Sequence, residues 1–339
     1  MTGASGFIGR RLAAELVRRG DDVACLVRPE SRTAPLRDLS VTLVPGDFGD
    51  PDSLVAAASG RDRVFHVAGL VQAAGEAAFE TANAAGTRHL VEACLRAVPV
   101  PGRFVLVSSV AAAGPSGPDR PRVETDPPRP VSAYGRSKLA AEEAVRAAAA
   151  RLPAAIVRPP NVLGPGSKEI EAAIGLLRLR LSPSVGDARP RTSLVDVDDL
   201  VEALILASEH PLAVGRTYFV TDGGAYAWPE IVEALADEAG VGRFRIRVPY
   251  GLQLAAAGLP DPDQGVFALR GDGRNAAVGV ALDFDAVFIE KVLGNPVPAP
   301  DIVDFKGGVI QKGAKGQEPQ KEDPHPEVIA DPFLHAAQT

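Results

Sequence analysis

The chain has 339 residues, and its 43 acidic residues exceed its 36 basic residues, which gives a formal net charge of −7. This balance argues against nucleic acid or an anionic membrane surface as the main partner. Hydrophobic residues make up 46% of the chain, which is enough to bury a sizeable core. The two cysteines, Cys25 and Cys94, are too few for a disulfide scaffold or a cysteine-based zinc site. With no leader pattern and no apolar run of about 18 residues, we expect a cytoplasmic protein without a membrane span.

Short apolar runs alternate with longer stretches of helical periodicity. The predicted strands are residues 23–27, 41–44, 63–68, 103–109 and 154–158. The predicted helices are residues 7–19, 51–59, 76–98, 133–151, 198–208 and 228–239. Such alternation is typical of βαβ units, so the sequence predicts an α/β fold built on a doubly wound parallel sheet.

Two segments depart from this alternation. Residues 115–130 are rich in proline and predict a long surface loop between a strand and a helix, a kind of loop that often carries function. Residues 306–327 consist largely of Gly, Lys, Gln, Glu and Pro. Because such a composition cannot bury enough apolar surface to order the chain, we expect this part of the tail to be disordered.

A glycine-rich loop opens the chain. Gly3, Gly6 and Gly9 stand three residues apart and lead into an amphipathic helix. Glycines at this spacing permit a tight turn and a close approach of the backbone to a pyrophosphate, which the helix N-terminus can bind. The predicted dinucleotide loop comprises Gly3, Ser5, Gly6, Phe7, Ile8 and Gly9. A plain strand-to-helix turn is the alternative.

Arg28 follows the strand predicted at residues 23–27, at the place where an acidic residue would bind a ribose 2′-hydroxyl and indicate NAD. A guanidinium there suits a 2′-phosphate, so the sequence favours NADP over NAD. Arg10, Arg11 and Arg32 are further candidates for this role. Each arginine could instead be a solvated surface charge, and for Arg11 that is the favoured interpretation.

Tyr134 and Lys138 lie four residues apart on a predicted helix that Ser132 would cap. This spacing places both side chains on one face, where the ammonium can lower the pKa of the phenol toward working pH. An ordinary helix-surface pair is the alternative. Upstream, Ser108 and Ser109 follow an apolar strand at the sheet edge where open parallel sheets bind ligands. Their hydroxyls could polarise a carbonyl, although Ser108 could also cap a loop.

Eight motifs follow one another along residues 2–250. They are TGASGFIG (2–9), GDFGD (46–50), HVAG (66–69), NAAGTRHLVEA (83–93), LVSS (106–109), YGRSK (134–138), RPPNVLGPG (158–166) and VDVDDLVEALILA (195–207). In this order the chain resembles the extended short-chain dehydrogenases/reductases, in particular the NAD(P)-dependent epimerase/dehydratase family and its 3β-hydroxysteroid dehydrogenase-like or dihydroflavonol reductase-like branch. The resemblance implies a Rossmann-type fold that binds NADP, with NAD as the alternative.

The resemblance also implies roles for the matching residues. Tyr134 would be the general acid/base, Lys138 would bind the nicotinamide ribose and tune Tyr134, and Ser109 would polarise the substrate. The other implied cofactor contacts are Asp47 and Phe48 at the adenine, Val67, Ala68 and Gly69 along the next strand, and Pro159 and Val162 beside the nicotinamide.

Several other polar residues have two interpretations. Asn83 resembles the family's structural or proton-relay asparagine, and a helix-capping amide is the alternative. Asn161 could serve only to shape its loop, and His66 is interpreted as a core histidine. Asp196, Asp198 and Asp199 could suggest a metal cluster, but the resemblance implies a structural junction in which Asp198 or Asp199 caps a helix. No metal is therefore expected.

The implied activity is the interconversion of a carbonyl and a secondary alcohol by hydride transfer. A nucleotide-sugar epimerase or dehydratase that retains NAD is the alternative, and a non-catalytic NADP-binding regulator is a further one. Residues 218–240 resemble the substrate lobe of the reductases, whereas Arg191 is displaced by one position from the arginine that sugar-nucleotide epimerases place before VDVDD. The expected partner is thus a ketone, an alcohol or a nucleotide sugar, and the family suggests a homodimer through helices 76–98 and 133–151.

The expected domains are a nucleotide-binding domain (1–160), a substrate lobe interleaved with it (161–250) and an atypical C-terminal region (251–339). In a doubly wound sheet the glycine loop follows the first strand, and that strand is missing ahead of Met1. Its loss would expose the neighbouring strands, so we expect the native chain to begin several residues upstream. Residues 256–339 do not resemble the family's closing unit, and we expect a frame shift or gene-model error there.

Overall fold

The structure is a computed structural model that describes residues 1–117, 120–183, 191–241, 246–248 and 309–310. Its strands are β1 (Val23–Val27), β2 (Val41–Pro45), β3 (Arg63–His66), β4 (Arg103–Val107), β5 (Ala154–Arg158), β6 (Asn161–Leu163), β7 (Leu181–Pro183), β8 (Arg191–Thr192), β9 (Leu194–Asp196), β10 (Thr217–Val220), β11 (Tyr226–Ala227), β12 (Ile246–Val248) and β13 (Val309–Ile310). Its helices are α1 (Phe7–Arg18), α2 (Pro51–Ala58), α3 (Glu76–Phe79), α4 (Gly86–Arg96), α5 (Val110–Ala113), α6 (Ala133–Ala147), α7 (Lys168–Arg178), α8 (Val197–Glu209) and α9 (Trp228–Glu238). Short 3₁₀ turns cover Ala34–Leu36 and Pro211–Ala213.

The main sheet is parallel wherever the structure describes it. Strands β1 and β2 pair with each other, and a second run has the order β13-β10-β5-β4-β3. Thr2 joins the two runs, because it forms parallel bridges to Leu26 of β1 and to His66 of β3. The predicted doubly wound parallel sheet is thereby confirmed.

Helices cover both faces of this sheet. Successive side chains of a strand point to opposite faces. Accordingly, Val105 and Val107 of β4 pack with α1 and α8, whereas Phe104 and Leu106 pack with α2, α4 and α6. All five residues of β4 are buried, as expected of a central parallel strand.

The predicted helix ends agree closely with the structure. Asp50 caps α2 by accepting from the N–H groups of Asp52 and Ser53, and Ser132 caps α6 by accepting from that of Gly135. The helix predicted at 76–98 is not regular, because a π-helical segment, Glu80–Ala85, separates α3 from α4. Such segments occur frequently at functional sites.

Met1 and Thr2 stand where the missing first strand was expected. Backbone hydrogen bonds connect these two residues to the strands on both sides. The N–H of Thr2 donates to the carbonyl of Phe65 (2.9 Å), and the N–H of Leu26 donates to the carbonyl of Met1 (2.9 Å). The Met1 ammonium donates to the carbonyl of Ala24. A cavity of about 160 Å³ continues from this point between β1 and β3, and Val23, Ala24, Val64 and Phe65 are among its lining residues. Met1 and Thr2 therefore form the joint, the two-residue connection between the two runs of the sheet, and the cavity lies next to it.

A smaller lobe lies outside the main sheet. It contains the strand pairs β6–β9, β7–β12 and β8–β11 and a core in which α7 and α9 pack against Leu163 and Leu194. Helix α7 was not predicted from the sequence. Strand β13 falls within residues 306–327, so these two residues form an edge strand on β10 rather than disordered chain. The rest of residues 251–339 lies outside the described residues, so the other predictions for this region stay predictions.

Candidate active site

The glycine loop is tightly packed. Gly3 has a φ of +72°, and a Cβ on it would lie 2.6 Å from the backbone nitrogen of Ala68. The N–H of Gly6 donates to the Gly3 carbonyl (3.0 Å), which closes the turn. A Cβ on Gly9 would overlap that same carbonyl oxygen. Only glycine at these places lets helix α1 begin against the end of β3.

The first turn of α1 is suited to an anion. Gly6 supplies no side-chain cap, and the first turn contains no acidic residue. The N–H groups of the opening residues of a helix have no acceptor within it, and they carry the positive end of the helix dipole. Ser5, Phe7 and Ile8 lie in this turn and its entry. The loop is therefore suited to the pyrophosphate of a dinucleotide, and the contact itself stays a prediction.

The predicted adenosine contacts lie at the same edge of the sheet. Arg28 directly follows β1, and Asp47 and Phe48 follow the neighbouring strand β2. The Arg28 side chain is 58% exposed, and its Nε lies 3.2 Å from Oε1 of Glu30. Asp47 Oδ1 accepts from the N–H of Gly49 (2.8 Å). The exposed guanidinium can thus meet a ligand that reaches this edge.

The alternative arginines are less well placed. Arg11 Nη1 lies 3.7 Å from the carboxylate of Asp198, so this side chain faces α8. Arg10 approaches Gly166, where a Cβ would lie 2.6 Å from Nη2. Arg32 lies in the irregular segment after β1.

His66 is a core histidine, as the sequence indicated. It is buried, and its Nδ1 and Nε2 lie 2.7 Å from Thr2 Oγ1 and 2.9 Å from Thr87 Oγ1. Thr87 donates its hydroxyl hydrogen to the Asn83 carbonyl (2.5 Å), so it accepts from Nε2–H. A neutral imidazole that donates from Nε2 accepts at Nδ1, so Thr2 donates to Nδ1, and its oxygen also accepts from the N–H of Ala68 (3.2 Å). These bonds fix the neutral Nε2–H tautomer, and burial lowers the pKa of His66 to about 3.

Residues Val67, Ala68 and Gly69 continue from β3 into a loop that Asn83 fixes. The side-chain oxygen of Asn83 accepts from the N–H of Leu70 (2.7 Å), and its amide donates to the Leu70 carbonyl (2.9 Å) and to Ser137 Oγ (3.0 Å). Asn83 lies in the π-helical segment and is buried. It therefore ties this loop to α6 and does not cap a helix.

Tyr134 and Lys138 share one face of α6, as their spacing predicted. The ammonium of Lys138 lies 6.0 Å from the centroid of the Tyr134 ring. Phe79 packs on the same ring at a centroid distance of 5.8 Å. Lys138 Nζ donates to the carbonyl of Val107 at the end of β4 (3.0 Å), and burial lowers the pKa of this lysine to about 8. The pair is thus held at the carboxyl edge of the sheet, where a cofactor is expected.

The two serines after β4 have different partners. Ser109 caps α5, and its Oγ accepts from the N–H of Ala111 (3.1 Å). Among the described residues its own hydroxyl hydrogen has no acceptor, so it can be donated to a ligand. Ser108 is buried and donates to Glu142 Oε1 (2.5 Å), so it does not cap a loop. Ser109 is therefore the serine that can meet a substrate.

Sequence reasoning missed the buried Glu142. Its carboxylate accepts from Ser108, from Arg158 in a bidentate pair and from Arg146. The local signals were its positions one turn after Lys138 and one turn before Arg146 on the predicted helix. Ser108 and Arg158 lie at the ends of two strands, so periodicity did not reveal the cluster.

The residues after β5 lie beside this cluster. Pro159 is buried, and its carbonyl accepts from the N–H of Val110 (3.0 Å). Val162 is buried in β6 within the apolar core. Asn161 donates to Thr192 Oγ1 (3.1 Å), which fits its role in shaping this segment. The nicotinamide contacts of Pro159 and Val162 stay predictions.

The aspartates after β9 form a helix cap. Asp196, rather than Asp198 or Asp199, is the N-cap of α8, because its Oδ1 accepts from the N–H groups of both (2.6 and 3.2 Å). The prediction that Asp198 or Asp199 caps this helix was wrong. Both residues lie inside the first turn of α8, whereas the cap must precede the first helical N–H groups. Within the described ranges no group of three His, Cys, Asp or Glu side chains could hold a metal ion. Nor does that part of the chain contain a helix of the length and hydrophobicity needed to cross a membrane.

The proline-rich loop between α5 and α6 is described except for residues 118–119. Glu124 anchors it, because Oε1 accepts from the N–H of Phe219 in β10 (2.7 Å). Burial raises the pKa of Glu124. This loop connects α5, which follows Ser109, to α6, which carries Tyr134.

Known proteins resemble the chain in both sequence and fold. The profile of the NAD dependent epimerase/dehydratase family matches residues 1–220. A ceramide reductase of Caulobacter vibrioides is 36% identical over 266 residues, which cover 77% of this chain and 76% of that protein. A 4-hydroxy-2-methyl-3-oxo-4-farnesyl-3,4-dihydroquinoline-1-oxide ketoreductase of Stigmatella aurantiaca is 30% identical over 267 residues, which cover 76% and 78%.

Among solved structures, MoeE5 in complex with UDP-glucose and NAD has a TM-score of 0.64 and 27% identity, over 90% of this chain and 94% of that one. The similar proteins thus include one named as a ceramide reductase, one named as a ketoreductase of a farnesyl-bearing quinoline oxide, and one solved with UDP-glucose and NAD.

Proposed function

The chain belongs to the NAD-dependent epimerase/dehydratase family, and we propose that this enzyme interconverts a ketone and a secondary alcohol with a nicotinamide cofactor. The observation that carries the proposal is the face of α6 on which Tyr134 and Lys138 lie one turn apart against the end of β4. Ser109 stands at the same edge with a hydroxyl hydrogen that it can donate. A proton donor, a cation and a hydrogen-bond donor are what the protein contributes to a carbonyl reduction whose hydride comes from the cofactor.

In the proposed reaction each side chain has one task. Ser109 donates a hydrogen bond to the substrate carbonyl and orients it. Tyr134 gives its phenolic proton to the developing alkoxide, or takes it back from the alcohol in the reverse direction. Lys138, held by the Val107 carbonyl, stabilises the phenolate and binds the nicotinamide ribose. When bound, the nicotinamide supplies or accepts the hydride.

We propose NADP rather than NAD as the cofactor. The support is Arg28, whose exposed guanidinium follows β1 at the edge where the adenosine ribose is expected. No carboxylate occupies that position, and Glu30 faces the guanidinium from two residues further on. A 2′-phosphate can compete with Glu30 for Arg28, because phosphate forms charge-assisted hydrogen bonds with a guanidinium.

We further propose an apolar ketone as the substrate. Leu70 and Val71, which follow the predicted cofactor residue Gly69, are 41% and 52% exposed. Val131, just before the cap of the helix that carries Tyr134, is also exposed. These apolar side chains at the rim suit an alkyl or prenyl chain, and both reductases above are named for such compounds. A nucleotide sugar is the second candidate, favoured by the resemblance to the protein solved with UDP-glucose.

Cofactor titration followed by a substrate screen tests these proposals. We expect NADPH to quench protein fluorescence at lower concentration than NADH, and ketones with long alkyl chains to oxidise NADPH stoichiometrically. Conversion of a UDP-sugar without net oxidation of the cofactor would instead identify an epimerase. Binding of NADPH with no turnover of either substrate class would favour the non-catalytic regulator, and binding of neither cofactor would refute the enzyme proposal for this chain.

A further inference from the structure

Glu142 has an unusual environment for a carboxylate. It is completely buried, and it lies on α6 one turn after Lys138 and two turns after Tyr134. Oε1 accepts from Ser108 Oγ (2.5 Å) and Arg158 Nε (2.7 Å), and Oε2 accepts from Arg158 Nη2 (2.6 Å) and Arg146 Nη2 (2.8 Å). Burial alone would raise the pKa of Glu142, but the hydrogen bonds from Arg158 and Ser108 outweigh it and lower that pKa.

Two partners of this carboxylate belong to other elements of the site, and the third, Arg146, lies one turn further along α6. Ser108 directly precedes Ser109, and its N–H donates to the carbonyl of Val157 (2.7 Å). Arg158 is the last residue of β5 and directly precedes Pro159. Glu142 therefore connects the helix that carries Tyr134 and Lys138 to the strand ends that carry the substrate serine and the predicted nicotinamide contact.

We propose that Glu142 is a positioning residue for the reaction: together with Ser108 and Arg158 it fixes the distance between Ser109 on one side and Tyr134 and Lys138 on the other. The proposal rests on the proposed function for the roles of those three residues. It does not require Glu142 to touch the substrate or the cofactor. A misplacement of about 1 Å within such a group can cost about a hundredfold in rate.

Stability alone is a poor explanation for this cluster. The Arg158 side chain is 2% exposed, and within the part of the chain that the structure describes its Nη1 has no hydrogen-bond partner. Buried ion pairs lose much of their Coulomb attraction to the cost of removing both charges from water, and apolar replacements of similar size are often as stable. The pair lies where α6 meets the ends of β4 and β5. A fixed distance between these three elements is what the proposed reaction requires.

The cluster also bears on Lys138. Burial lowers the pKa of this lysine, and the negative charge of Glu142 opposes that effect. Tyr134 on the same helix and His66 on β3 are also ionisable groups near the ammonium. The pKa of His66 is lowered mainly by burial and to a smaller extent by the charge of Lys138. Glu142 is thus the carboxylate that favours the charged lysine.

The test compares Glu142→Gln with Glu143→Gln, which alters the exposed neighbour on the same helix. For Glu142→Gln we expect kcat to fall by about ten- to a hundredfold, while KM and the NADPH dissociation constant stay within about threefold of the parent. Glu143→Gln should match the parent in all three. A Glu142→Gln variant with parental kcat would overturn the proposal.

A second variant separates positioning from folding. In Glu142→Met/Arg158→Met both buried charges are removed, so the protein should unfold no more easily than the parent. We expect it to stay as slow as Glu142→Gln. Recovery of parental kcat would show that Glu142 only neutralises Arg158, and the proposal would fail. If Glu142→Gln alone does not fold, the comparison of kcat between the double variant and the parent still tests the proposal.

Hydrogen exchange distinguishes failure of this proposal from failure of the proposed function. If no ketone is turned over by the parent, the function fails, but the geometry can still be tested by amide exchange with NADPH present. The N–H groups of Ser108 and Val110, which bond to the carbonyls of Val157 and Pro159, should exchange at least about tenfold faster in the double methionine variant. Unchanged exchange there would overturn the positioning role independently of any activity.

Discussion

On one side of Thr2, strands β3, β4, β5 and β10 pair without interruption, and on the other side β1 and β2 pair with each other and, within the described residues, connect to the rest of the sheet through Thr2. The first half carries Ser109, Tyr134 and Lys138. The second half carries Arg28 and Asp47 at its edge, and the glycine loop lies at the boundary between the halves. The two halves place their functional groups by different means.

In the uninterrupted half, buried side chains fix the site: Lys138 bonds to β4, Asn83 bonds to the loop after β3, and Glu142 bonds to Ser108 and Arg158. In the other half, the backbone of the glycine loop and exposed side chains form the predicted cofactor contacts. Changes in the first half are therefore expected to act on turnover, and changes in the second on cofactor binding. Changes at the joint should act on stability.

Tyr134→Phe should have the largest effect and should fall on turnover alone. It removes the phenolic proton but keeps the ring that packs on Phe79, so kcat should drop by about 10²- to 10⁴-fold while the NADPH dissociation constant stays unchanged. Steady-state kinetics and fluorescence titration measure the two quantities. Tyr218→Phe, which alters a buried tyrosine of β10, is the matched control. Retained turnover in Tyr134→Phe would mean that another group moves the proton.

Acid should weaken the joint between the halves through His66. The pKa of His66 is about 3 in the folded protein, against an ordinary value of 6.5, because burial disfavours the imidazolium. Between these values only the unfolded chain binds the proton, so the contribution is complete above pH 6.5 and declines as the pH falls toward 3. Relative to His66→Gln, the parent should lose roughly 3 kcal/mol of unfolding free energy between pH 7 and pH 4. Urea unfolding of both proteins checks this, and parallel pH curves would contradict it.

Gly9→Ala should act on cofactor binding rather than on chemistry. The new Cβ would overlap the Gly3 carbonyl oxygen, so the start of α1 must move away from the loop. We expect NADPH affinity to fall by roughly ten- to a hundredfold, because the N–H groups that meet the pyrophosphate are displaced. Gly175→Ala in α7 is the control, since a Cβ there meets no atom within 4 Å. Equal NADPH affinity in both variants would show that the loop does not hold the cofactor.

Arg28→Ala should have the smallest effect and should concern one cofactor only. Loss of the guanidinium is expected to weaken NADPH binding by about tenfold and to leave NADH binding unchanged. Arg32→Ala tests the alternative arginine nearby and should leave NADPH binding unchanged. If the parent binds NADH at least as tightly as NADPH, the argument from Arg28 is wrong.

The comparison also shows which features sequence can reveal. The glycine loop, the Ser132 cap and the Tyr134–Lys138 pair are local, because each depends on residues within one turn of a helix or one loop. The Thr2–His66 and Ser108–Glu142–Arg158 contacts join residues 64, 34 and 16 positions apart. No periodicity encodes them, since they depend on how strands are ordered in the sheet.

Two sequence predictions were wrong for reasons that lie within a few residues: the cap of α8 and the regular helix at 76–98. Asp196 rather than Asp198 or Asp199 caps α8, because all three aspartates satisfy the composition rule and only the backbone decides which one precedes the helix. The π-helical segment Glu80–Ala85 lies inside a run whose apolar spacing is helical throughout. One additional residue in a turn leaves no mark in such a pattern.

The buried amino group of Met1 has a practical consequence for producing the protein. Its nitrogen bonds to the Ala24 carbonyl between two strands, and burial lowers its pKa. A residue joined ahead of Met1 would enter the cavity that Val23, Ala24, Val64 and Phe65 help to line. The residues that precede Met1 in an expressed protein therefore bear on how β1 and β3 are held together.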